Sequence, residues 1–130
     1  MIAGNSDSRS GLTAAISVHE LSIMQSALEV ILRRAQEARA GKVCAVALRV
    51  GALSGAVPEA LEAAFAALTP GTTAHGAALH IERVPAKFWC EACRCEFSAV
   101  DLLAECGRCG QVSGDLRAGR ELEIASIEVE

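Results

Sequence analysis

Two closely spaced cysteine pairs constrain the fold of this chain more than any other feature of its sequence. Cys90 and Cys93 form one C-x-x-C pair, and Cys106 and Cys109 form a second after twelve intervening residues. Two such pairs at this separation are typical of a zinc site in which all four sulfurs point at one tetrahedral ion. Because four thiolates leave no open coordination position, we expect this zinc to be structural rather than catalytic.

The stretch between the two cysteine pairs is far too short to build a core of its own. Metal binding can supply the folding free energy that it lacks. Gly110 follows the second pair and favours the turn that closes the site. Three of the four aromatic residues of the chain lie in this segment, where we expect them to pack around the metal: Phe88, Trp89 and Phe97.

Two further cysteines have no assigned chemistry. Cys95 makes the first pair read C-x-x-C-x-C and competes as a ligand, but it has no counterpart beside the second pair, so it is left out of the site. Cys44 alternates with Val46 and Leu48 and is interpreted as a small core residue.

Charge and hydropathy exclude several classes of protein. The chain has 130 residues and a net charge of -4, whereas nucleic-acid-binding domains usually carry a basic patch or a pI above about 9. No apolar run reaches the roughly 18 residues of a membrane span, and residues 1–17 lack the pattern of a signal peptide. We interpret the protein as cytoplasmic, where clustered cysteines indicate metal or redox chemistry rather than disulfides.

Two amphipathic helices are predicted from the spacing of apolar residues. The first has an apolar stripe and is followed by Gly41, a good stop signal; its start is ambiguous, since capping-box patterns begin at both Ser17 and Ser22. The second begins near Pro58 and ends at Pro70-Gly71. The stripe of the first helix consists of Leu21, Met24, Leu28, Ile31, Leu32 and Ala35.

Three strands complete the predicted main domain, at 42–50, 77–84 and 121–129. A strand–helix–strand unit of this length favours a right-handed crossover between parallel strands, and the last strand can return antiparallel. The fold class is therefore α+β, with a small mixed three-stranded sheet, two helices and an inserted zinc-ribbon-like domain. The predicted limits are 18–85 and 119–130 for the α/β domain and 86–118 for the insert, with 1–17 a disordered extension or a mis-assigned start.

The start of the first helix resembles a known family. Val18-His19-Glu20-Leu21-Ser22 is similar to the N-terminal Met-His-Glu-(Leu/Ile)-Ser motif of the HypA/HybF family, the nickel-incorporation proteins of [NiFe]-hydrogenase maturation. The loop 50–57, the two cysteine pairs and the closing segment 121–124 fall where the family has its corresponding elements. The resemblance covers residues 18–130.

The resemblance implies a metallochaperone without catalytic residues. Such a protein carries Ni²⁺, works with a partner GTPase and passes the metal to the [NiFe]-hydrogenase large subunit, and some relatives also serve urease. His19 would bind nickel through its imidazole and backbone amide, and Glu20 through its amide, with the side chain of Glu20 a further candidate. A nitrogen-rich ligand set suits Ni²⁺. We expect a monomer or a weak homodimer.

The N-terminus departs from the family pattern. The family's histidine is the second residue of its chain and is preceded by a free amine, whereas seventeen residues precede Val18 here. Either translation starts at Val18, or the extension exists and the nickel site differs. Intact mass measurement of protein from its native source distinguishes these two hypotheses.

Two alternative functions follow from the cysteine pairs alone. One is a zinc-ribbon module that binds nucleic acid or works in transcription, but acidic residues outnumber basic ones in the insert, and phosphate binding needs a positive surface. The other is a thiol redox switch, which a single C-x-x-C would support better than a doubled pair.

Overall fold

The computed structural model describes residues 18–99 and 104–130. The predictions for residues 1–17, including a cap at Ser17, lie outside the described residues. Helix α1 spans Val18–Glu37 and buries four residues of the predicted stripe, with Met24 and Ile31 fully enclosed, whereas Leu21 and Leu32 are half-buried. Because α1 continues through Ser22 without a break, the prediction of a helix start at that residue is wrong.

The end of α1 differs from the sequence prediction. The helix ends at Glu37, four residues before Gly41, and Arg39 adopts a left-handed conformation with φ 57°. The amide of Ala40 donates to the carbonyl of Ala35 at 2.9 Å, and that of Arg39 donates to Gln36 at 3.0 Å. These two bonds define a Schellman cap with Arg39 in the position that glycine usually occupies, so the prediction of Gly41 as the stop was wrong.

Helix α2 spans Pro58–Leu68 and packs against α1. Pro58 occupies its first turn, where the missing N–H costs nothing. At the other end, the Thr69 hydroxyl and amide both donate to the carbonyl of Phe65, so the helix stops directly before Pro70-Gly71 as predicted.

Three strands form the larger sheet in the order β2-β1-β8. They are β1 (Val43–Gly51), β2 (Ala78–Val84) and β8 (Leu122–Val129). The amide of Ala52, after β1, donates to Val84 at the end of β2, whereas Val43 at the start of β1 donates to Thr73 ahead of β2. Because like ends meet, β1 and β2 are parallel, as the crossover rule predicts.

The third strand runs the other way. The amide of Gly41, before β1, donates to Glu130 after β8, and the amide of Gly51 at the end of β1 donates to Glu121 before β8. Opposite ends meet, so β8 is antiparallel to β1 and the sheet is mixed. The predicted fold class is confirmed.

Five shorter strands lie among the described residues between β2 and β8. They are β3 (Ala86–Cys90), β4 (Cys95–Ala99), β5 (Ala104–Glu105), β6 (Val112–Ser113) and β7 (Leu116–Ala118). Strands β4, β3 and β7 form one sheet in that order, and β5 pairs with β6. The pairings β3–β4 and β5–β6 are antiparallel hairpins, and one cysteine pair lies at each hairpin turn.

The described chain divides into two compact units. One contains its residues up to 47 together with 56–80 and 124–130, and the other contains 48–55 and 81–123. The predicted limits of the insert, 86–118, lie inside the second unit. Neither described helix combines the length and apolar character that a membrane crossing needs.

The second unit has a small core of its own. Ala86, Phe88 and Ala104 are buried there, and Phe97 stacks on Phe88 with 6.0 Å between ring centroids. Leu53, from the loop that follows β1, packs against the same cluster. The phenylalanines of the cysteine-rich segment therefore form the hydrophobic layer under the hairpins.

Candidate metal centre

The first cysteine pair lies at the tight turn between β3 and β4, with Cys93 inside the turn. Cys90 ends β3 and faces Cys95 at the start of β4, and the amide of Cys93 donates to the Cys90 sulfur at 3.4 Å. Arg94, the residue after the pair, takes a left-handed conformation with φ 54°. The turn thus directs both sulfurs of the pair to the same side.

The second pair repeats this arrangement between β5 and β6. The amide of Gly110 donates to the carbonyl of Cys106 at 2.8 Å, and Gly110 has φ 80°. Arg94 and Gly110 hold equivalent positions, each directly after a C-x-x-C, and both are left-handed. The role predicted for Gly110 is confirmed, whereas no sequence signal indicated that Arg94 shares its conformation.

The two hairpins bring four sulfur atoms into one cluster. The Sγ atoms of the four paired cysteines all lie within 4.8 Å of one another, and those of Cys90 and Cys109 are 3.5 Å apart. Four sulfurs around a zinc ion with Zn–S bonds of about 2.3 Å are separated by roughly 3.8 Å. The spacing of this cluster therefore fits a tetrahedral metal ion. Its members are Cys90, Cys93, Cys106 and Cys109.

The thiols of the cluster differ in acidity. Amide groups of Arg108 and Cys109 donate to the Cys106 sulfur and lower its pKa to about 7. The Cys109 thiol, burial and the neighbouring sulfurs together raise the pKa of Cys93 to about 12. Because sulfurs this close cannot all carry negative charge by themselves, the cluster favours a bound cation that neutralises four thiolates.

Cys95 is set apart from the four clustered sulfurs. It is half-buried at the start of β4, and its sulfur accepts a contact from the Arg108 guanidinium at 3.8 Å. Cys44 is half-buried in β1 between the buried residues Val43 and Val46. The structure brings together the four cysteines chosen from the sequence and leaves these two outside.

A charged layer surrounds Trp89 on the same unit. The Arg117 guanidinium lies 4.8 Å from the centroid of the Trp89 ring, and it is held there by two hydrogen bonds to the Asp115 carboxylate, both 3.0 Å long. The indole N–H donates to Glu91 at 2.8 Å. Arg117 holds the pKa of Asp115 below its usual value through these hydrogen bonds. Trp89 is thus fixed by polar contacts rather than by the phenylalanine core.

The two residues proposed for nickel lie in the first turn of α1, on the other unit. His19 is exposed and Val18 before it is 84% exposed, whereas Glu20 is only 4% exposed. The Oε2 atom of Glu20 accepts a hydrogen bond of 2.9 Å from the amide of Val57. Sequence reasoning missed this contact, because its partners are separated by 37 residues.

Comparison with known proteins agrees with the geometry. Residues 18–129 match the family model described as "Hydrogenase/urease nickel incorporation, metallochaperone, hypA". Over 112 residues the chain is 39% identical to the hydrogenase maturation factor HypA of Picosynechococcus sp., covering 86% of this chain and 99% of that protein. Over 113 residues it is 39% identical to the HypA of Chlorobaculum tepidum, covering 87% of this chain and 100% of that protein.

The fold has a solved counterpart. The solution structure of the Ni metallochaperone HypA from Helicobacter pylori superposes with a TM-score of 0.57. Sequence identity to it is 21%, and the match covers 85% of this chain and 96% of that one. The chain therefore shares its overall fold with that structure.

Proposed function

The chain belongs to the HypA family of nickel metallochaperones for hydrogenase maturation, and we propose that it holds one structural zinc while carrying Ni²⁺ at the start of α1. The zinc ligands are the four clustered cysteines, whose sulfurs lie within 4.8 Å of one another. That cluster is the observation that supports the proposal most strongly. As a metallochaperone, the protein delivers a metal and catalyses no reaction of its own.

The proposed zinc site follows from its donor set. Four cysteine sulfurs with no oxygen or nitrogen donor suit Zn²⁺, and a complete shell leaves no position for a cargo ion. Nickel must therefore bind elsewhere. Intracellular reducing conditions keep such thiols available for metal, which supports a cytoplasmic location.

We propose His19 as the anchor of the nickel site. Its imidazole is exposed in the first turn of α1, where the backbone amides of His19 and Glu20 lie next to it in the chain. Imidazole and deprotonated amide nitrogens suit Ni²⁺. A free amine at Val18 would add a further nitrogen ligand in a protein that starts there.

Nickel titration of the zinc-loaded chain tests this site. We expect His19→Ala to abolish specific nickel binding with the zinc content unchanged, and His75→Ala, which removes another exposed histidine, to bind nickel as the unmodified chain does. Retention of full nickel affinity by His19→Ala refutes the site. Comparing residues 1–130 with 18–130 then measures what the amine of Val18 adds.

The proposed partners are the GTPase of hydrogenase maturation and the [NiFe]-hydrogenase large subunit, with urease as a second recipient. The family description, which names both hydrogenase and urease, supports this proposal. Transfer of radioactive nickel from the loaded chain to the apo large subunit, with and without the GTPase and GTP, tests delivery. Analytical ultracentrifugation tests the expected monomer or weak homodimer.

A further inference from the structure

We propose that the Glu20 carboxylate positions the nickel-binding turn by capping helix α2 and is not itself a nickel ligand. The inference rests on the proposed nickel site at His19. It assigns the side chain of the residue next to His19 to a second helix, and it leaves only the backbone of that residue for the metal.

The side chain of Glu20 is already occupied. It is 4% exposed, and its Oε2 atom lies 2.9 Å from the amide nitrogen of Val57. A buried carboxylate is stable only when hydrogen bonds replace its lost water. Turning this oxygen outward to a metal beside the exposed His19 would break that bond and leave the Val57 amide without its acceptor.

The N-cap residue of helix α2 does not cap the helix with its own side chain. It is Val57, whose apolar side chain makes no cap hydrogen bond. In a capping box the acceptor for the N-cap amide comes from the third helical residue, which here is the buried Ala60. Glu20 supplies the missing carboxylate from α1, and its negative charge also suits the positive end of the α2 dipole.

The consequence for nickel is geometric. Glu20 and His19 share a peptide bond, so fixing the side chain of Glu20 between the two helices fixes the backbone on which the metal would assemble. Val18 and His19 remain exposed on the outer side of this anchor. Groups that orient metal ligands without touching the metal typically change affinity by about 10- to 100-fold when removed.

Three variants separate positioning from ligation. Glu20→Ala removes the acceptor, Glu20→Gln keeps an oxygen that can accept the same hydrogen bond, and Val57→Pro removes the donor without changing any candidate ligand. Glu29→Gln, on the exposed face of α1, is the matched control. Each is measured in zinc-loaded protein by nickel titration and by the d–d absorption of bound Ni²⁺.

Positioning predicts a specific order of effects. Glu20→Ala and Val57→Pro should each weaken nickel binding by roughly 10- to 100-fold, whereas Glu20→Gln should stay within about threefold of the unmodified chain because the hydrogen bond survives. The double variant Glu20→Ala/Val57→Pro should be no weaker than either single variant. The absorption of bound nickel should be the same in Glu20→Gln as in the unmodified chain.

Two outcomes overturn the inference. If Glu20→Gln loses as much affinity as Glu20→Ala and shifts the nickel absorption while Val57→Pro does neither, the carboxylate is a ligand. If neither Glu20→Ala nor Val57→Pro changes the affinity, the cap has no influence on the site. Failure of the proposed function is recognised separately, because His19→Ala would then retain nickel whatever the Glu20 variants do.

Discussion

Gly51→Ala should destabilise the second unit through one contact that the structure defines closely. A Cβ added at Gly51 would lie 2.1 Å from the carbonyl oxygen of Gly119 and 2.7 Å from the amide nitrogen of Arg120. Real Cβ contacts essentially never fall under 3.0 Å, so the two segments must separate by about 0.9 Å (3.0 minus 2.1). The obstacle is backbone, which cannot rotate away as the end of a side chain can.

The loss of stability follows from the backbone hydrogen bonds at this crossing, the place where Gly51 lies against Gly119 and Arg120. Leu53 donates to the carbonyl of Gly119 and Gly51 donates to that of Glu121, both at 2.7 Å. A displacement of this size weakens both bonds, each worth about 1 kcal/mol net, and adds overpacking strain of about 1–3 kcal/mol. We expect Gly51→Ala to lower the free energy of unfolding by about 3 kcal/mol.

Urea unfolding of the zinc-loaded protein, followed by the fluorescence of the single tryptophan, Trp89, measures this loss in the unit that contains the crossing. Gly41→Ala is the control, since a Cβ there meets nothing within 4 Å; we expect it to be neutral or to stabilise by up to about 1 kcal/mol. Equal unfolding midpoints for Gly51→Ala and Gly41→Ala would refute the reasoning.

The remaining predictions concern the cap of α1, the zinc cluster and the charged layer. Arg39→Gly should raise the free energy of unfolding by about 1 kcal/mol over Arg39→Ala, because only glycine takes φ 57° without strain; equal thermal melts would contradict this. Cys109→Ser should lose zinc by metal analysis while Cys95→Ser keeps it, and equal zinc contents would overturn the ligand assignment. The contact with Arg117 depresses the pKa of Asp115, so its stabilising effect is present above the unfolded-state pKa and is lost as pH falls through the folded value; NMR titration should show this depressed pKa, and Arg117→Ala should return it to normal.

Much of the fold was predictable because its signals are local. The periodic apolar stripe of α1, the alternation in β1 and the proline at the start of α2 each act within a few residues. The parallel pairing of β1 with β2 followed from the handedness of short crossovers. The hairpin turns that hold the sulfurs were likewise encoded locally, since each C-x-x-C brackets its own turn.

The features that escaped prediction depend on contacts between distant residues or on conformations that composition does not announce. No sequence pattern identifies Val57 as the hydrogen-bond partner of Glu20. The capping-box pattern that includes Glu20 suggested instead that its side chain caps α1. Arg39 and Arg94 occupy left-handed positions where glycine is the expected residue. Hydrogen bonds fix the turn at Arg39, and the cysteine cluster fixes the turn at Arg94. Each arginine is therefore held in a left-handed conformation despite its energetic cost.

Cys95 shows that sequence spacing alone does not assign the metal ligands and that the structure is needed to complete the assignment. In the segment C-x-x-C-x-C, either of the last two cysteines could be the second metal ligand beside Cys90. Only the absence of a matching cysteine after Cys109 argued against Cys95. The structure adds a physical reason. Cys93 lies inside the turn, where its amide bonds to the Cys90 sulfur, whereas Cys95 has already entered β4 opposite Cys90 and contacts Arg108 instead. Cys95 therefore stays outside the four sulfurs that lie within 4.8 Å of one another, and the Arg108 guanidinium contacts its sulfur.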